Sequence, residues 1–166
     1  MRWPAPADAV LAGAKIIQRA EDTLTAIVQR GGPVRISFFG VPELPRLEPP
    51  LVVQDNGLQV ASLLDLAGTK ASVIQVRAQA RDYIDMDALI TLGKVSLSTA
   101  LAAAAKIYGP SFNPQITLKA LCYFDDGNLR DLPEAMKLRL VTAARETDLD
   151  HLPRIEPTGR DFGHEL

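Results

Sequence analysis

Ser62 to Leu92 reads SLLDLAGTKASVIQVRAQARDYIDMDALITL, two helices in series with an arginine–aspartate pair at the joint. The first opens as a capping box, with Ser62 at the N-cap and Asp65 three residues on. At ~100° per residue, Leu63, Leu64, Leu66, Ala67, Ala71, Val73, Ile74 and Ala78 fill about half of the circumference. That is the wide apolar arc of a helix packed on a core. Asp65, Gly68, Thr69, Ser72, Gln75 and Gln79 take the other half. Two cations break the pattern. Lys70 falls between Leu63 and Val73 inside the apolar arc, and Arg77 lies one step further along the same line. An ammonium among core side chains is costly unless it is paired or reaches solvent. Lys70 therefore snorkels or reaches a polar cleft at the edge of the core.

The second helix is announced by RDYIDMDALI, where Tyr83, Met86 and Ile90 recur at helical spacing. If it begins at Asp82, that residue can cap it and Asp85 can close the box. Asp82 and Asp85 then share one face, and Arg81 can pair with Asp85 at i, i+4. Two readings follow. One is a structural salt bridge plus a cap. The other is a site where Lys70 meets phosphate and Asp82 anchors or moves a proton.

A chain of 166 residues suits one domain, and 47% hydrophobic residues suffice for a core. The formal net charge of −2 sets up no field that attracts nucleic acid, and no DNA-reading motif occurs. The longest apolar runs are interrupted, as by Lys106 in ALAAAAKIY, so no membrane span is expected. Met1-Arg2-Trp3-Pro4 does not begin a signal-peptide pattern. Cys122 is the one cysteine, which excludes an internal disulfide and fits a reducing, cytoplasmic setting. No zinc constellation or Ser–His–Asp arrangement is expected, because the two histidines, His151 and His164, both fall near the end.

Ahead of the central stretch, Ala7 to Glu21 reads as a helix with Val10, Leu11, Ala14, Ile16 and Ile17 as a rough stripe. TLTAIVQ (23–29) and VRISFF (34–39) are strand-like and joined by Gly31-Gly32, a hairpin signal. A lone ribbon is marginal, and the third strand candidate is the short piece from Leu58 to Ala61. Four prolines between Gly40 and Asn56 mark an irregular connection, with a brief extended piece at Leu51 to Val53. Behind the central stretch, Gly93 closes the second helix and Ser96 or Ser98 caps a third, Leu97 to Tyr108, stopped by Gly109-Pro110. Asn113-Pro114 opens a short helix, Asp125-Asp126-Gly127 is a turn, and Pro133 to Glu146 is a last helix. The whole is α+β: a small antiparallel sheet (hairpin plus one short strand) packed on a C-terminal helical bundle. The expected division is residues 1–57 as helix and hairpin and 58–147 as helical half, sharing one core. A loosely attached tail covers residues 148–166.

These residues resemble the AbiEii/AbiGii-type family of nucleotidyltransferase toxins. The resemblance is carried by DLAGTKASVIQVRAQARDYIDMDALI, with VRISFFG upstream and SLSTALAAAAKIYGPSFNP and LKALCYFDDGNL downstream, over residues 22–145. It implies a polymerase-β-like fold and transfer of a nucleotide from an NTP, with Mg2+, onto an RNA, tRNA or protein acceptor. It also implies a place in a bacterial toxin–antitoxin or phage-defence pair, with a cognate antitoxin or a full-length paralogue as partner. Lys70 matches the lysine of the family's DLxxxK and would contact triphosphate. Asp82 matches the first aspartate of RDYxD and would act as acid/base or polar anchor. Arg77, Arg81 and Asp85 would support them.

One departure shapes the functional expectation. Such a centre needs a glycine-rich phosphate loop and a strand-borne D-x-D, whose period-2 spacing puts both carboxylates on one face to hold the metal ions. Neither precedes the hairpin here, a gap of about seventy residues by βαβ-unit length. Asp85-x-Asp87 has the spacing on a helix, where the side chains diverge by ~200°. Asp148-x-Asp150 lacks a strand pattern, and Gly31-Gly32 is explained by its turn. No metal ligands are assigned, and the chain is expected to be incomplete and inactive alone. Two other readings stay open: a non-catalytic interaction module that binds its partner through an open sheet edge, and an unrelated enzyme built on Lys70, Asp82 and Asp85.

Overall fold

A computed structural model of the chain describes residues 11–21, 23–39, 44–55, 57–156 and 158. It divides into two compact units, Met1–Glu43 and Leu44–Leu166. The architecture is α+β, as read from the sequence.

The first unit holds β1 (Lys15–Arg19), β2 (Thr23–Gln29) and β3 (Pro33–Phe39), all antiparallel in the order β1-β2-β3. The Gly31-Gly32 hairpin forms as expected, with Gly31 at φ +73°. Across it Leu24 faces Phe38, Ala26 faces Ile36 and Val28 faces Val34, and the three β2 residues are buried. On the other face the Thr25 and Ser37 hydroxyls bond at 3.1 Å. Two expectations are corrected here. Residues 15–19 of the expected helix 7–21 are a strand, and residues 7–10 lie outside the described residues. The adjacent β-branched pair Ile16-Ile17 favours extended backbone, and pairing with β2 satisfies that strand's second row of backbone groups. A register shift between Ile16 and Gln18 is the cost of a sequence without clean alternation. The third strand is thus β1 and not the piece at 58–61. That piece contributes β5 (Gln59–Val60), which pairs with β4 (Leu51–Val52) in a separate two-stranded sheet.

That sheet belongs to the second unit, whose described residues form five α-helices: α1 (Leu63–Val76), α2 (Ala80–Thr91), α3 (Leu97–Tyr108), α4 (Pro114–Ala120) and α5 (Glu134–Glu146). The caps follow the sequence. Ser62 accepts from the Asp65 N–H, Ser96 from the Thr99 N–H and Asn113 from the Gln115 N–H. The helix α1 is the hub, packed on α3, α2 and α4. Its approach to α3 is close because residue 68 is glycine: a Cβ there would sit 3.0 Å from the Ala103 and Ala104 backbone and 2.9 Å from Ile107. On the α4 side, buried Thr117 donates to the Ala71 carbonyl at 2.9 Å and accepts from Gln75 Nε2 at 2.9 Å. The Asp65 carboxylate ties the preceding loop to α1, accepting from the Leu47 and Glu48 N–H groups and the Ser62 hydroxyl.

Residues 148–156 carry no helix or strand, yet they dock. Leu149 and Leu152 pack on the main core, Ile155 packs beside Leu47, Ala103 and Ile107, and the Thr158 N–H donates to the Leu47 carbonyl at 2.8 Å. Prolines and charges at the end of the sequence suggested loose attachment, but the apolar residues between them find α3 and its neighbours. Among the described residues no helix is long and apolar enough to cross a membrane.

Candidate functional site

The helix α1 ends at Val76, residues 77–79 are extended, and α2 starts at Ala80. The turn back folds the first turns of α2 against the last turns of α1. Lys70 from α1 and Asp82 from α2 therefore meet: Nζ donates to Asp82 Oδ1 at 3.0 Å. Arg77, in the link, donates through Nε to Oδ2 at 2.8 Å and through Nη2 to Oδ1 at 3.3 Å. One helical turn on, Asp85 forms a second ion pair with Lys70. The Asp82 side chain is fully buried, that of Lys70 is 19% exposed, and those of Arg77 and Asp85 are about half exposed. The offset of Lys70 within the apolar arc is thus resolved by pairing. A buried carboxylate requires such partners, and Asp82 has two.

The joint differs from the expected cap. The helix starts two residues before Asp82, and its Ala80 N–H is capped by Asn128 Oδ1 at 2.8 Å, from a loop 48 residues away in sequence. The Asp82 N–H already donates to the Gln79 carbonyl, which frees the carboxylate for the cations. Asp85 closes no box. Arg81 is exposed and outside the cluster, and Asp85 pairs with Lys70 in its place.

Electrostatics holds Asp82 and Lys70 ionised. Burial by itself pushes the Asp82 carboxyl up, but hydrogen bonds from Arg77 and Lys70 outweigh it and its pKa lies below the ordinary carboxylate value. Burial pushes the Lys70 amine down, but its bonds to Asp85 and Asp82 win and its pKa is raised. Asp82 therefore contributes stability that is complete above its unfolded pKa of about 3.9 and lost as pH falls through its lower folded value. The contribution of Lys70 is complete below about 10.4 and lost as pH rises through its raised folded value. Urea midpoints should fall on the acid side, and Asp82→Asn should flatten that limb. An unchanged acid limb in the variant would place the proton-linked stability elsewhere.

Beside Arg77 opens a cleft of about 180 Å3 that reaches Tyr83, Tyr123, Asp126 and Leu129. Tyr83 is buried, donates to the Ala120 carbonyl at 3.2 Å and meets the Phe124 ring edge-on at 6.1 Å. Burial first, then the charges of Asp126 and Asp82, push its phenol up to about 12, so it stays a neutral donor.

A second buried carboxylate was not foreseen. Asp87 is gripped by the Arg139 fork from α5, Nε to Oδ1 at 2.8 Å and Nη2 to Oδ2 at 2.6 Å. Its divergence from Asp85 by helical geometry was legible; its partner, 52 residues on, was not.

A model of the nucleotidyl transferase AbiEii toxin family, of type IV toxin–antitoxin systems, matches residues 12–163. The chain belongs to this family. No curated protein and no solved structure matches it.

AbiEii membership makes the chain a nucleotidyltransferase-like toxin and implies an antitoxin partner. The matched span contains the cluster in which Lys70 meets Asp82 at the α1–α2 joint. Metal ions are the usual companions of nucleotide transfer, and they would supply charge neutralisation at the phosphates. The carboxylates near the joint do not fit that role as they stand: Asp82 and Asp85 are held by Lys70 and Arg77, and Asp87 by Arg139. Among the described residues no three or more His, Cys, Asp or Glu gather to hold a metal. Asp148 pairs with His151 at 2.7 Å in the segment after α5 and joins no such group.

Proposed function

We propose that this AbiEii chain supplies the triphosphate-contacting part of a nucleotidyltransferase site and transfers no nucleotide by itself. Lys70 is the cation for the phosphates. Asp82 is its buried anchor, and Arg77 and Asp85 support the pair. The observation that carries the reading is the single buried carboxylate that receives both Lys70 and Arg77, in the segments that carry the family resemblance. A carboxylate held ionised by two cations is a weak base, which favours anchoring over proton transfer for Asp82. With Mg2+ and metal-holding carboxylates from a partner, the reaction would be NMP transfer from an NTP to an RNA, tRNA or protein acceptor in the cytoplasm of a bacterium, in toxin–antitoxin or phage-defence work.

The test is thermal unfolding of the full chain with each of ATP, GTP, CTP and UTP and Mg2+. A bound nucleotide stabilises by mass action, by about 2.7 kcal/mol at a hundredfold excess over Kd. The NTP-induced rise in Tm should vanish in Lys70→Met, and radiolabelled NTP should label no RNA or protein with this chain alone. Labelling by the chain alone would refute the inactive half of the reading. No rise with any nucleotide would remove the phosphate role of Lys70. The second reading, a non-catalytic module that binds an antitoxin, would then stand, favoured by the mutual neutralisation of Lys70, Arg77, Asp82 and Asp85.

A further inference from the structure

The sheet of the first unit ends on two outer strands that are guarded differently. β1 carries a register shift between Ile16 and Gln18 and has Lys15 and Arg19 at its ends. Bulges and cations are devices that keep an outer strand from adding another. β3 pairs with β2 in unbroken register, with only Pro33 at its start and Arg35 within it as guards. The hairpin sets which groups of β3 stay open. The Arg30 N–H donates to the Gly32 carbonyl at 2.9 Å. Bonded and unbonded pairs alternate along an antiparallel ladder, so Gln29–Pro33, Ile27–Arg35, Thr25–Ser37 and Thr23–Phe39 are the unbonded ones. The N–H and C=O groups of Arg35, Ser37 and Phe39 therefore point away from β2. Among the described residues no strand or turn takes them, and all three residues are exposed.

We infer that β3 pairs with β3 of a second copy of this chain, antiparallel about a two-fold axis at Ile36, which joins the two three-stranded sheets into one. A two-fold contact presents the same patch from both copies, and the residues select its centre. Centred on Arg35, two guanidiniums would face each other, which is destabilising. Centred on Ser37, Pro33 would face residue 41 of the other copy, beyond β3. Centred on Ile36, every outer N–H finds a carbonyl on the other copy: Arg35 that of Ser37, Ser37 that of Arg35, and Phe39 that of Pro33. Pro33 has no N–H to offer, but it falls at the end of the ladder, where it is tolerated. On one face Val34 meets Phe38 and Ile36 meets its twin, a row of β-branched and aromatic pairs. On the other Arg35 lies opposite Ser37, so no like charges meet. β1 has no such solution, because pairing about its middle residue, Ile17, sets Lys15 against Arg19. None of Lys70, Arg77, Asp82 or Asp85 takes part, so the pairing stands apart from the triphosphate reading.

The experiment is sedimentation equilibrium of the full chain over a range of concentrations, in which the average mass should rise from one chain to two. Ser37→Glu sets a carboxylate opposite Arg35 of the other copy, and Ser37→Lys sets an ammonium there, each twice about the axis. The first should tighten the dimer and the second weaken it, each by about two- to tenfold in Kd. Gln18→Glu and Gln18→Lys make the same charge changes in the same row of the sheet, on β1, and should leave Kd within about twofold. Positions 18 and 37 are exposed, so the four variants should fold, which their Tm verifies. Ile36→Cys in a Cys122→Ser background should form a covalent dimer with oxidised glutathione, since an unbonded antiparallel pair brings its Cα atoms to about 4.5 Å. Arg35→Cys in the same background should not, because its twin is two residues out of register and beyond the roughly 7 Å that a disulfide spans. A single-chain mass at every concentration, with no cross-link through position 36, overturns the pairing and leaves the edge to a strand of another protein. A dimer whose Kd ignores the sign of the charge at position 37 overturns this interface as well.

Discussion

Asp82→Ala should destabilise the helical unit by about 3 kcal/mol, the lower end of the 3–5 kcal/mol range for breaking a buried ion pair. The carboxylate is fully buried and receives Lys70 at 3.0 Å and Arg77 at 2.8 Å. Its loss leaves a mostly buried ammonium beside an empty carboxylate-sized space. The lower end applies because Lys70 keeps Asp85 and Arg77 is half exposed. Asp82→Asn fills the space without the charge and should cost less. Urea unfolding of the parent, Asp82→Ala, Lys70→Met and the double variant of the two closes a cycle. Non-additivity of at least about 0.5 kcal/mol between positions 70 and 82 is expected for residues in direct contact. A loss below about 1 kcal/mol for Asp82→Ala, the scale of a surface pair, would contradict the buried geometry on which the functional reading stands.

Gly127→Ala should cost about 3 kcal/mol or more, through a different cause. Residue 127 has φ +53°, where a side chain is strained, and its Cβ would run into the Ala78 carbonyl oxygen. Backbone atoms cannot rotate away as a side chain tip can. Relief must come from moving the loop or the 77–79 link, and the link carries Arg77. For a chain of this size the loss lowers Tm by roughly 6–12 °C. The NTP-induced stabilisation should weaken with it, since Arg77 loses its place on Asp82. Gly32→Ala is the control: φ there is not positive and the added methyl meets nothing within 4 Å. It should stay within about 0.5 kcal/mol of the parent. Equal losses at the two positions would show a general effect of replacing turn glycines and would remove the claim about the joint.

The two glycine positions show what the sequence does and does not announce. Asp125-Asp126-Gly127 was legible as a turn, because these residue types adopt turn conformations for local reasons. That the turn presses on Ala78 was not, since nothing within either segment records the other. The same contrast runs through the site. Lys70 stood out because an ammonium broke the apolar arc of one helix, and Asp82 because it followed at the next helix start. Both are local signals, and the structure brings the two together. Arg77 was legible as a second cation on the same line. The Arg81–Asp85 pair was a fair local inference that fails because Lys70 is nearer to Asp85.

What the residues alone determined are the α+β class, the hairpin at Gly31-Gly32, the presence of the helices after Gly57 with Ser62 and Asn113 as caps and Ser96 as one of two candidates, and the pairing of a cation with an acid at the α1–α2 joint. Each rests on interactions within a few residues: hydrophobic period, caps and turn chemistry. Only the tertiary structure decided that residues 15–19 complete the sheet as a strand, that Asn128 caps α2, that Arg139 holds Asp87, and that a cleft opens between Arg77 and Tyr123. In these cases a backbone row, a helix end, a charge or a surface is satisfied by a partner distant in sequence or by packing. Such choices are made by what the fold brings near, and the local sequence carries no record of them.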